Sequence, residues 1–401
     1  MWVMISPSRE GLFVICAAKR PNLSETRVMN KEDKIYVAGH RGLVGSAIIR
    51  KLQAEGYNNL VMRTSKELDL RRQEDTERFF DEERPAYVFL AAAKIGGILA
   101  NNTYKAEFIY NNIAITTNII HAAYKYRVKK LLNFGSSCIY PKFAPQPIKN
   151  EYLLTGILEP TNEPHAIAKI AALKLCRYYN EQYGTNFISV MPTSLYGPHD
   201  NFNLETAHVL PTLIRKFHLA KLLKEGNFEG IKADLQAYSI GFALDEEVNL
   251  ESNESIRQTL ESTGVTGDYV VLWGNGEPYR EFLYIDDLAD ACVFMMKNYD
   301  YQEIGEFVNI GAGKDIKIKD IANMVKEIAG FSGEIRYDLS KPGGTPRKVL
   351  DISKMRQLGW EPKTSLREGI EMTYEWYMET TIEENHRTSI RDKRHLIQTG
   401  I

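Results

Sequence analysis

The sequence predicts an α/β fold: a Rossmann-type, doubly wound parallel sheet joined to a smaller, discontinuous C-terminal α/β substrate domain. Two observations carry this. From Lys34 onward, short apolar strands alternate with amphipathic helices, the rhythm of a parallel sheet covered by helices on both faces. The first strand, Ile35-Tyr36-Val37-Ala38, runs directly into Gly39-His40-Arg41-Gly42-Leu43-Val44-Gly45 and then a helical pattern. Strand, GxxGxxG and helix in that order are a turn that takes a dinucleotide pyrophosphate. At 401 residues the chain is long enough for two domains with substantial cores.

Residues 1–33 precede the fold as an extension expected to be poorly ordered. Gly11–Ala18 is apolar and is followed by Lys19-Arg20, which suggests a targeting segment, but its positive residues follow the apolar stretch instead of leading it. Met29, a few residues before the first strand, is the more natural start. Strands are expected at Ile35–Ala38, Asn59–Met62, Tyr87–Ala91, Leu131–Gly135 and Phe187–Met191, and helices at Ser46–Glu55, Glu74–Glu83, Ala106–Tyr126 and His165–Tyr183. Together these make a first domain over 34–195. After Tyr196-Gly197-Pro198 the rhythm weakens, and 196–380 is assigned to the substrate domain, parts of which return to the first. Within it, 221–268 carries Asp245-Glu246-Glu247 and Glu251-Ser252-Asn253-Glu254 and reads as an inserted, partly helical, solvated excursion. Order resumes at Tyr269–Gly274, at Arg280–Asp287 and in a strand–helix set from Phe307 to Ala329. Residues 381–401 are a polar tail expected to fray.

A net charge of −2 and 10% aromatic residues ask for neither nucleic acid nor membrane as partner. The apolar runs are far short of the roughly 20 residues of a transmembrane helix. Cys16, Cys138, Cys176 and Cys292 show no CxxC spacing, so neither a disulfide framework nor a metal site is expected, and a reducing cytoplasm fits.

In the glycine loop, Gly39 permits the tight turn, Gly42 lets the backbone approach the pyrophosphate, and Gly45 lets helix pack on strand. An NAD site places Asp or Glu about 20 residues on, against the ribose 2′-hydroxyl. Here the second strand ends in Arg63, and Arg41 lies on the loop itself. Two guanidinium groups offer forked donors to a 2′-phosphate, so the expected cofactor is NADP(H).

The chain resembles the GDP-L-fucose synthase family of extended short-chain dehydrogenase/reductases. The resemblance runs from Lys34 to about Tyr377. It is carried by Gly-His-Arg-Gly-Leu-Val-Gly (39–45), Ala-Ala-Ala-Lys-Ile-Gly-Gly-Ile (91–98), Gly-Ser-Ser-Cys-Ile-Tyr-Pro (135–141) and Met-Pro-Thr-Ser-Leu-Tyr-Gly-Pro-His-Asp-Asn-Phe (191–202), extended by Arg280-Glu281-Phe282 and Gly344-Thr345-Pro346-Arg347-Lys348. It implies epimerisation of GDP-4-keto-6-deoxy-D-mannose at C3 and C5, followed by reduction at C4 with NADPH. Cys138 and His208 fall at the family's acid–base positions; a thiol and an imidazole suit enolisation next to a carbonyl. Ser136 and Lys169 match the reductase positions. The resemblance further assigns Phe134, Gly135, Ser137, Pro192, Thr193, Ser194, Leu195 and His208 to the cofactor site beside the loop residues His40, Leu43 and Val44. Lys216, Trp273 and Arg280 go to the nucleotide-sugar site. A homodimer through Ala106–Tyr126 and His165–Tyr183 is also implied.

Two positions depart from the family pattern. The Tyr of Tyr-x-x-x-Lys, the proton donor for reduction, is His165, one helical turn before Lys169 and on the same face. Histidine is shorter, and a nearby Lys169⁺ disfavours imidazolium, so reduction is expected to be impaired unless His165 serves as a substitute donor. At Gly343 the family carries Asp, and that carboxylate is missing from the substrate site. The rival readings are another nucleotide-sugar 4-epimerase or dehydratase, which has no need of the Cys138/His208 pair, and a non-catalytic NADP-binding sensor or scaffold, which needs none of the acid–base set.

Overall fold

The computed structural model describes residues 29–341 and 344–381. The expectations for residues 1–28, for Gly343 and for the tail beyond Thr381 lie outside them. Met29 is buried in the first core, and its carbonyl accepts a hydrogen bond from Tyr57.

In chain order the first half contains β1 (Ile35–Ala38), α1 (Leu43–Ala54), β2 (Leu60–Val61), α2 (Gln73–Glu83), β3 (Tyr87–Leu90), α3 (Ile98–Thr103), α4 (Lys105–Lys125), β4 (Lys130–Phe134), α5 (Glu163–Tyr183) and β5 (Phe187–Pro192). β1, β3, β4 and β5 are buried along their whole length because helices cover both faces of a parallel sheet. α5 starts two residues earlier than expected, at Glu163. Pro164 sits in its first turn, where a missing N–H costs nothing, and Gly184 stops it in the left-handed region at φ 66°. His165 is therefore held on an established first turn.

The second half follows with β6 (Ser194–Tyr196), α6 (Val209–Glu225), α7 (Phe228–Ala237), α8 (Leu244–Glu247), α9 (Asn253–Ser262), β7 (Tyr269–Trp273), β8 (Tyr279–Tyr284), α10 (Ile285–Asn298), α11 (Tyr301–Ile304), β9 (Val308–Ile310), β10 (Asp315–Lys317), α12 (Ile318–Ala329), β11 (Glu334–Asp338), β12 (Arg347–Lys348) and α13 (Ser353–Gln357). A closing helix runs over 366–381. The expected unit Arg280–Asp287 divides at Tyr284: Asp286 and Asp287 enter the first turn of α10, where the helix dipole favours carboxylates.

One sheet has the order β2-β1-β3-β4-β5-β9, parallel throughout. The order in which successive strands are added reverses between β1 and β3, and ligands of such sheets bind at the strand carboxyl ends beside that reversal. The second half builds β10-β8-β12, with β6 against β8, and a separate β11-β7 pair. β9 returns to the first sheet.

The reading of 221–268 as a solvated excursion is corrected. α7 and α9 bury Ile231, Ala233, Ile256 and Leu260 in the core around Ile214 and Phe217, and Asp234 is fully buried as well. The acidic runs lie between and beside these helices, Asp245–Glu247 in the short α8 and Glu251–Glu254 at the start of α9, so charge density alone hid the apolar stripes of α7 and α9.

Candidate active site

The glycine loop closes over the carboxyl ends of β1 and β3. Gly39 has φ +81°, and a Cβ there would lie 2.7 Å from the Ala92 nitrogen; a Cβ on Gly45 would lie 2.2 Å from the Gly39 carbonyl oxygen. No side chain fits at either point. The first N–H groups of α1 are left without intrahelical partners, and Gly42 offers no side-chain cap, which leaves an anion site. His40 Nδ1 is buried without a hydrogen-bond partner; desolvation, then the Arg41 charge, lowers its imidazole below the ordinary value. Arg41 is exposed on the loop. Arg63, at the end of β2, pairs with Glu83 at 2.6 Å and donates to the Met62 carbonyl at 2.9 Å. A buried orphan nitrogen, a loop that excludes side chains and two nearby guanidinium groups fit a phosphorylated dinucleotide.

Phe134 and Gly135 end β4. Ser136 then adopts extended backbone, and its Oγ accepts from the Cys138 amide at 3.3 Å, opening a 3₁₀ turn over Ser137–Ile139. On the next strand, Pro192 ends β5 and Thr193 hydrogen-bonds to Ile310 and Glu281; Ser194 and Leu195 continue into β6. Lys169, one turn after His165, donates from Nζ to the Phe134 carbonyl at 2.7 Å. Burial lowers this ammonium to about 8, against a smaller opposing effect of Cys138.

His165 is 8% exposed. Its Nδ1 lies 3.4 Å from Asn112 Nδ2. Asn112 Oδ1 accepts from the Lys94 amide at 2.8 Å while Nδ2 donates to the Lys94 and Phe108 carbonyls, which orients the amide with Nδ2 toward the ring. Both Nδ2 hydrogens are thereby directed at carbonyls, so the 3.4 Å contact packs against the His165 ring without setting its tautomer. Desolvation, then the charges of Lys169, His208 and Lys348, pushes His165 down to about 3.

His208 is the N-cap residue of α6. It keeps solvent-reachable surface, yet protein crowds the ring, and that desolvation followed by the Lys348 charge lowers its imidazole. Burial raises the Cys138 thiol, opposed by Lys348, by Ser136 and by Lys169. Lys348, itself lowered by desolvation, lines with Cys138 a cleft that also includes Lys142, Glu159, Asn162 and Arg347. Lys348 was quoted within the 344–348 motif but not singled out as a site residue. Its register partner Arg280 on β8 is what brings it to the cleft.

Among the expected substrate residues, Arg280 is held beside Thr345, donating from Nη1 to that carbonyl at 2.5 Å. Trp273 is 41% exposed at the end of β7, with the Lys341 ammonium over its ring. Lys216 is a correction. It is buried, and its Nζ donates to the Thr263 and Val271 carbonyls at 2.7 and 3.0 Å. Its charge is directed into the protein, onto these two backbone carbonyls. Among the described residues, no group of three or more His, Cys, Asp or Glu side chains could hold a metal, and no helix is long and apolar enough to cross a membrane.

The model of the NAD dependent epimerase/dehydratase family matches residues 35–233 and 251–311. GDP-L-fucose synthase 1 of Arabidopsis thaliana is 53% identical over 87% of this chain and 94% of its own length. A solved GDP-6-OMe-4-keto-L-xylo-heptose reductase from Campylobacter jejuni is 43% identical with a TM-score of 0.81, covering 87% of this chain and 99% of that one. MlghC, a GDP-mannoheptose C4 reductase from Campylobacter jejuni with NADP bound, is 41% identical with a TM-score of 0.73, over 87% and 99% of the two chains. With this glycine loop, this Ser-Ser-Cys turn and relatives matched over nearly their whole length, the chain belongs to the GDP-L-fucose synthase family, within the NAD dependent epimerases and dehydratases.

Proposed function

We propose that the protein converts GDP-4-keto-6-deoxy-D-mannose to GDP-L-fucose by 3,5-epimerisation and 4-keto reduction, with reduction the slower half. The observation that carries this is that Cys138 and Lys348 line one cleft, with the Lys348 charge acting also on His208 from the separate element α6. A raised thiol and a lowered imidazole are an acid and a free base at neutral pH, which enolisation next to the C4 carbonyl requires. His208 removes the proton from C3 or C5, and Cys138 supplies one.

The 34–195 domain holds the cofactor through Gly39–Gly45, Arg41 and Arg63, with Phe134–Ser137, Lys169 and Pro192–Leu195 beside the nicotinamide end. NADPH, when bound, supplies the hydride for C4. Ser136 and the neutral ring of His165 then face an oxygen that gains charge. A ring held down to about 3 carries no imidazolium proton at neutral pH, so His165 offers a hydrogen bond where a tyrosine would give up its proton. The 196–380 domain binds the nucleotide sugar through Arg280, Lys348 and Trp273. Exposed Tyr110, Ile167, Tyr178 and Tyr183 on α4 and α5 support a homodimer across these helices, and the free thiols of Cys138, Cys176 and Cys292 among the described residues support a cytoplasmic enzyme.

A second reading is favoured by the Campylobacter relatives: reduction of a GDP-4-keto-heptose. The test incubates the protein in deuterated water with either the 6-deoxy or the heptose 4-keto substrate, with and without NADPH. Deuterium at C3 and C5 with slow NADPH oxidation on the 6-deoxy sugar is the expected result. Reduction of the heptose alone would favour the second reading, and neither reaction in protein that binds NADPH would favour a sensor.

A further inference from the structure

We propose that the turn at residues 238–245 is a brace that positions His208, with Arg215 and Asp245 as its positioning residues. This rests on the reading of His208 as the base. The family match stops at 233 and resumes at 251, so the turn lies in a stretch that the family model does not describe.

His208 ends a loop that begins at Phe202, and both sides of that loop are clamped. On one side, Gly97 donates to the Thr206 carbonyl at 2.7 Å, tying the loop to the first domain. On the other side stands the turn. Leu204 donates to the Ile240 carbonyl at 3.1 Å, Asn203 Nδ2 to Ser239 Oγ at 3.1 Å, and the Phe242 amide to Glu205 Oε2 at 2.6 Å.

Arg215 joins the two pieces from beneath. It is fully buried on α6, two turns after His208. Nη1 donates to the Phe202 carbonyl at 2.9 Å and the Ser239 carbonyl at 2.6 Å; Nη2 reaches the Tyr238 carbonyl at 2.6 Å, and Nε reaches Asp234 at 2.9 Å. A planar fork with fixed donors suits this task in a way a lysine cannot. Asp245 shapes the turn itself, accepting from the Ile240 and Gly241 amides and from Ser239 Oγ at 2.6, 2.9 and 2.6 Å. None of these groups touches Lys169, His165 or the glycine loop. Loosening the turn should move the base while leaving Lys169, Arg63 and the glycine loop, which carry most of the cofactor contacts, in place.

The test uses the full chain as wild type, Asp245→Ala, Glu205→Ala and Glu205→Gln. Deuterium uptake at C3 and C5 is measured at saturating 6-deoxy substrate, NADPH affinity by fluorescence, and the His208 ring titration by NMR. Both alanine variants are expected to lose about tenfold in exchange rate, since small displacements of a catalytic group are costly, with NADPH affinity unchanged. Their His208 midpoint should rise toward the ordinary 6.5. Glu205→Gln keeps the acceptor for Phe242 and should match wild type. Folded variants with unchanged exchange and unchanged titration would overturn the brace, as would an equal loss in Glu205→Gln. If Asp245→Ala does not fold, the Glu205 pair decides. A wild type that exchanges no deuterium defeats the proposed function, and the His208 titration then decides the brace alone.

Discussion

Asn112 Nδ2 lies 3.4 Å from Nδ1 of His165, and this contact holds the imidazole in a buried pocket between α4 and α5. Asn112 is buried on α4, its amide orientation fixed by the Lys94 backbone. Desolvation there, then the charges of Lys169, His208 and Lys348, leaves His165 with a neutral ring that carries one N–H. The catalytic deficit expected from the missing tyrosine is therefore a deficit of acidity, with the hydrogen-bond donor retained.

Restoring the tyrosine tests this directly. His165→Tyr is expected to raise NADPH oxidation by about 100-fold, the lower end of what a positioned proton donor supplies. Deuterium exchange at C3 and C5 should stay within about twofold, because on this reading exchange depends on Cys138 and His208. An unchanged reduction rate would mean the site works through histidine as it stands.

The two half-reactions should separate in pH. Exchange needs a protonated thiol together with a free imidazole. The lowered His208 titrates below 6.5, so the rate falls as pH drops through that value; the raised Cys138 titrates above 9.0, so it falls again as pH rises beyond it. Reduction should show an extra basic limb near 8, where Lys169 loses its proton. Rate profiles of both steps on one preparation check this, and coincident basic limbs would contradict it.

The glycine loop gives a steric prediction. Gly45→Ala should abolish NADPH binding, because the new methyl would meet the Gly39 carbonyl at 2.2 Å. At Gly42 the nearest atom stands at 3.6 Å, so Gly42→Ala should fold normally, and a change in its affinity would report the pyrophosphate approach. NADPH titration of the two variants makes the comparison.

Cofactor choice is expected to reside in two guanidinium groups. Arg41→Ala with Arg63→Ala should weaken NADPH about 10- to 100-fold, the scale of one charge-assisted hydrogen bond of about 1.5–3 kcal/mol. NADH, with no 2′-phosphate, should bind as before. Because Arg63 already pairs with Glu83, the Arg41 substitution alone should account for the larger share.

Much of the site was legible because its parts are local. Strand, glycine turn and helix follow one another in the chain, and His165 and Lys169 share a face through helical spacing alone. The polarity of the segment at 221–268 was read correctly and its burial was not, since charged residues on the outer face of α7 and α9 say nothing about what the inner face meets. Arg280–Asp287 read as one unit because the change from strand to helix at Tyr284 leaves no break in apolar character.

By itself the sequence determined the α/β class, the order of the first five strands, the dinucleotide loop and the chemical types at the site, all of which depend on residues a few positions apart. Only the tertiary structure decided where the long side chains point. Lys216 turns inward to Thr263 and Val271, Lys348 reaches Cys138 through its pairing with Arg280, and Arg215 joins Phe202 to Tyr238 and Ser239. Lysine and arginine carry their charge on a long flexible stem, and the partner that ends up within its reach depends on how distant segments pack, which local periodicity does not encode.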